Sequence, residues 1–144
     1  MAYLEIAATL MAHGHAPVDD VLAYLREARR RASGSGYTGL CAGLTAVAWT
    51  AAGRDAEGQG ALSEVTDLEA LERFEGSKAV WFPEGLLHAV LGLASERERP
   101  DLSLSHFRAL AEGPLAATSI GKLANRSRSR AGAATGKAGK RDAK

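Results

Sequence analysis

Apolar residues recur along most of the chain at the spacing of one helix face. Leu4, Ala7, Ala8 and Met11 form such a face within 3–13, and Gly14 ends it. Val18, Val21, Leu22 and Leu25 repeat the pattern at i, i+3, i+4, i+7. Pro17 suits the first turn of that helix, Asp19 and Asp20 complement its N-terminal dipole, and Arg29, Arg30 and Arg31 complement the other end before Gly34. Two helices joined by so short a turn predict an antiparallel hairpin. A third helix is expected over 37–52, with Leu40, Leu44, Val47 and Ala48 inward. Gly39 and Gly43, four apart, would admit a neighbouring backbone.

Residues 55–74 read as helical with an uncertain join. Leu62, Val65, Leu68, Leu71 and Phe74 are spaced by three, so their stripe drifts around the helix unless it breaks. Thr66 with Glu69 has capping-box spacing, which would start a fresh helix there. Ala79, Val80, Trp81 and Phe82 are read as a connector that plugs the core. Helices follow over 84–97 (Leu86, Leu87, Val90, Leu91, Ala94) and over 102–112, the latter capped by Asp101 and burying Leu104, Phe107, Leu110 and Ala111. Gly113 and Pro114 break it, and a short helix is expected within 115–124. The fold expected is all-α: antiparallel helical hairpins of about six helices.

Beyond Leu123 no large apolar side chain occurs, so the end of the chain cannot offset its ordering entropy and is expected to be disordered. Charge divides there too. The 144 residues carry +1 overall, but residues 1–121 hold ten basic against sixteen acidic side chains, a net of −6. Residues 122–144 hold eight against Asp142 alone, a net of +7. A helical domain over 1–121 and a basic tail over 122–144 follow. Lys122, Arg126, Arg128, Arg130, Lys137, Lys140, Arg141 and Lys144 are the expected nucleic-acid contacts. Spaced through small residues, they suit backbone phosphates rather than base edges. A merely solubilising tail is the competing reading.

The first unit, Tyr3 through Ala28, resembles a tetratricopeptide or pentatricopeptide helical hairpin, and the turn around Trp49, Gly53 and Arg54 is similar. Segments starting near Tyr3, Tyr37 and Trp81 look alike, although their two intervals differ. The resemblance implies a repeat-like surface for peptides or single-stranded RNA. A net-acidic body disfavours the RNA groove.

Candidate chemistry is sparse. His13 and His15 lack further ligands at a supporting spacing, so no metal site is expected. Cys41, His88 and His106 could meet as thiol and base, but no local motif places them. Gly132 through Lys137 imitates a phosphate loop without its spacing or its following Ser/Thr. The charge-free stretch from Gly34 to Gly53 is too poor in large apolar residues for a membrane span. The N-terminus shows no signal-peptide pattern, and Cys41 is the single cysteine. An intracellular, cytoplasmic protein without cofactor is expected. The function expected is a non-enzymatic helical scaffold or adaptor for a protein partner. The alternative is a nucleic-acid-associated protein using its tail for sequence-independent phosphate contacts.

Overall fold

A computed structural model describes residues 2–14, 16–32, 35–76, 82–83 and 85–125. Among these the chain is all-helical, without strands: α1 (Ala2–His13), α2 (Val18–Arg31), α3 (Ser35–Ala51), α4 (Asp55–Leu62), α5 (Leu68–Gly76), α6 (Leu86–Ser95) and α7 (Pro100–Glu112). A single helical turn follows over 122–125. Short connections fold α1 onto α2 and α6 onto α7.

The architecture is organised around α3. It packs against α1, α2, α4, α5 and α6. Leu40, Cys41, Leu44, Ala46 and Val47 are all essentially inaccessible to water. This accounts for much of the charge-free stretch: a helix packed against five others has little surface on which a charge could stay hydrated. No described helix is long and apolar enough to cross a membrane. The close approach at Gly43 comes from a side chain, not a backbone. A Cβ there would lie 2.4 Å from Val90 Cγ1 of α6. Gly39 has only ordinary contacts by the same measure.

The drifting stripe over 62–74 resolves as a break between α4 and α5. Leu71 turns fully inward, while Leu62, Val65, Leu68 and Phe74 pack at the core margin. The cap of α5 is Asp67 rather than Thr66. The Ala70 N–H donates to Asp67 Oδ1 at 3.0 Å. A carboxylate combines an acceptor with a negative charge facing the helix dipole, so it displaces the neighbouring threonine.

The start of α7 also differs from expectation. Pro100 is its first residue and Asp101 lies in its first turn; no side chain caps it. Proline at that position has no N–H to satisfy and a φ already helical. The inward face of α7 is Ser103, His106, Phe107 and Leu110, whereas Leu104 and Ala111 are only half-buried. Two polar residues can occupy this face because α6 meets them. Ser103 Oγ donates to the Gly92 carbonyl at 2.6 Å, and His106 meets His88. Gly92 makes the approach close enough. A Cβ there would fall 2.8 Å from the Phe107 ring.

The connector residues Ala79, Val80 and Trp81 lie outside the described residues. Phe82 packs against the core margin, its ring 5.6 Å from Phe74 in an edge-to-face contact. Leu115, Ile120, Leu123 and Ala124 are buried in the same core as the helices. Packing thus continues past the compositional boundary at 121.

Candidate functional site

The small residues of α3 leave space where its C-terminal half meets the α1–α2 hairpin. The result is an apolar cleft of about 230 Å³, open to solvent on one side. Leu10 and Met11 of α1 form one wall and Val18 and Val21 of α2 another. Ala48 and Ala51 of α3, with Ala52 just past its end, form the floor, with Ser119 and Ile120 at the far edge. Gly14 and Ala16 of the interhelical turn complete the rim. Gly14 adopts φ +73°, the left-handed geometry that ends α1 and swings the chain into α2. No charged side chain lines the cleft. Asp19 and Asp20, next along α2 after Val18, are exposed and do not line the cleft.

Helix α1 carries the apolar surface beyond the cleft. Its buried side is Leu4, Ala7, Ala8 and Met11. Its other side bears Ile6, 40% exposed, and Leu10, half-buried, one turn apart on one face. Leu10 packs at the core margin, and Ile6 is the large apolar side chain of α1 left exposed.

The sequence candidates fall in different places. His13 is exposed at the end of α1, and His15 lies outside the described residues. Lys122 is exposed on the turn over 122–125. Arg126, Arg128, Arg130, Lys137, Lys140, Arg141 and Lys144 lie outside the described residues, as does the stretch from Gly132 to Lys137.

Of Cys41, His88 and His106, the structure joins the two histidines: their Nδ1 atoms are 3.0 Å apart. Cys41 is 1% exposed on α3. Burial pushes its thiol pKa up, against smaller opposing effects of Arg29 and the N-terminus. The thiol therefore stays protonated and unreactive at neutral pH. A raised pKa means its stabilising contribution holds below the ordinary thiol range and falls away as pH rises through it. No three His, Cys, Asp or Glu side chains converge among the described residues.

The basic end of α2 is largely paired. The Arg29 guanidinium donates to Glu64, Arg30 and Arg31 flank Glu27, and Arg31 lies 4.9 Å above the Tyr3 ring. Such exposed pairs stabilise weakly. The cleft could not be read from spacing. Its walls come from four segments, and its volume comes from alanines and a glycine, whose contribution is missing side-chain bulk. Comparison of the chain with family models, with curated proteins and with solved structures gives no match in any of the three.

Proposed function

We propose that the chain is a non-enzymatic helical scaffold that binds a protein partner, taking an apolar side chain of that partner into the cleft between α1, α2 and α3. The apolar lining of the cleft supports this reading. An engineered apolar cavity of about 150 Å³ already accepts benzene. At about 230 Å³ the cleft has room for a leucine, phenylalanine or tryptophan side chain. Ile6 and Leu10 offer a strip beside it against which an amphipathic helix can lie. The exposed Asp19 and Asp20, in the same first turn of α2 as the wall residue Val18, favour a partner with lysine or arginine near the inserted residue. The tetratricopeptide-like hairpin pattern of the first unit fits such a role.

Selection of a displayed random-peptide library on the full-length protein tests this. Peptides with apolar residues at helical spacing and basic flanks are expected to enrich. They should bind Ala51→Phe, which fills the cleft from its floor, at least tenfold more weakly. No enrichment, or equal binding to the variant, would refute the reading.

The charge asymmetry favours a second reading, association of the tail with nucleic acid. The test compares the full chain with a chain ending at Asn125, which keeps the buried Leu123 and Ala124. Duplex affinity should fall with salt at a log–log slope of about −0.9 per phosphate neutralised. The shortened chain, helical by circular dichroism, should not bind. Binding that survives the deletion would exclude the tail as its source.

A further inference from the structure

His88 on α6 and His106 on α7 face each other across the contact between these two helices. Their ring centroids are 5.2 Å apart and their Nδ1 atoms 3.0 Å apart. Each Nδ1 thus lies on the side of its ring turned toward the other. His106 is 8% exposed, and His88 is half-buried. The two backbones cannot drift apart freely at this level. Ser103 binds the Gly92 carbonyl, and Phe107 packs over Gly92.

We propose that His88 and His106 form a binding site for a divalent late transition-metal ion, held between their Nδ1 atoms. Neutral imidazole is a preferred ligand for Cu, Ni and Zn. With metal–nitrogen distances of about 2.0–2.1 Å, nitrogens held 3.0 Å apart subtend about 94° at the ion. That is the angle between neighbouring ligands in a tetragonal complex, the geometry of Cu²⁺ and Ni²⁺. Tetrahedral Zn²⁺ needs the nitrogens about 0.3 Å further apart.

Seating the ion asks for one movement. The rings must turn so that both lone pairs point to a common position beside the line joining the nitrogens. His88, with part of its ring at the surface, is the one to turn. Without metal one Nδ1–H donates to the other, bare Nδ1. With metal both rings bind through Nδ1 and carry their remaining proton on Nε2. The ion would fasten α6 to α7 and stabilise the fold by preferential binding to it.

Titration of the full-length protein with Cu²⁺ tests the site, read by calorimetry, by nitrogen hyperfine structure in electron paramagnetic resonance, and by thermal melting. Binding is expected with two imidazole nitrogens on the ion and a raised melting temperature. His88→Gln, at the more exposed position, should keep the helical spectrum, weaken binding at least tenfold and abolish the thermal shift. His106→Gln should do the same where it folds. The variant His13→Ala/His15→Ala should bind as the wild type does. Wild type without a Cu²⁺-dependent shift, His88→Gln binding unchanged, or loss of binding in the His13/His15 variant would each overturn the proposal.

Discussion

Leu91→Asp is expected to leave the chain unfolded at 25 °C. Leu91 is 0% exposed, on a helix packed against α3, α5 and α7. Helix α6 is buried nearly all round: Leu86, Leu87, Ala89, Val90, Gly92, Leu93 and Ser95 are also inaccessible. A carboxylate at position 91 would be buried, and α6 carries no lysine or arginine to pair with it. Burying it costs several kcal/mol even as the neutral acid, against a total stability of about 5–15 kcal/mol for a domain. Leu25→Asp, 1% exposed on α2, should behave alike. Far-ultraviolet circular dichroism should show loss of helix in both. A melting temperature within a few degrees of wild type would mean that the inward face of that helix is wrongly placed.

Phe107→Ala is expected to cost about 3–5 kcal/mol and to lower the melting temperature by on the order of 10–20 °C. Phe107 heads the fully buried side chains by volume, and its ring fills the gap that Gly92 leaves on α6. Position 92 gives the diagnostic. In the wild type, Gly92→Ala puts a methyl within about 3 Å of three ring atoms and should destabilise. In the Phe107→Ala background the same methyl enters the vacated space and should recover part of the loss. A double-mutant cycle in which Gly92→Ala has the same sign in both backgrounds would show that the α6–α7 contact is not built on this pair.

The helices α1, α2 and α6 are legible in the sequence because their inward residues are apolar and spaced as one helix face. Helix α3 was legible as a helix. Its position at the centre was not, because helical spacing does not count how many neighbours a helix will have. The cap at Asp67 was missed by one residue because threonine and aspartate stand side by side and both can cap. On α7 the apolar spacing predicts Leu104 inward, whereas Ser103 and His106 take that face. Polar residues turn inward only when a neighbour satisfies them, and the Gly92 carbonyl and His88 are eleven and eighteen residues away in sequence. The sequence offers Cys41, His88 and His106 as a thiol with a base and no motif to place them, and of the three the structure brings together the two histidines alone. The cleft left no trace in the sequence, since Ala48, Ala51, Ala52 and Gly14 matter there through the volume they do not fill.

The reading of the cleft as a receptor for an apolar side chain can be tested without knowing the partner. Indole carries the apolar ring of a tryptophan side chain and can be titrated into ¹⁵N-labelled full-length protein. Amide shifts are expected to saturate and to concentrate at Met11, Gly14, Val21, Ala48 and Ile120, which surround the cleft. They should vanish in Ala51→Phe. Shifts scattered over the surface, failure to saturate, or an unchanged response in the filled variant would contradict it.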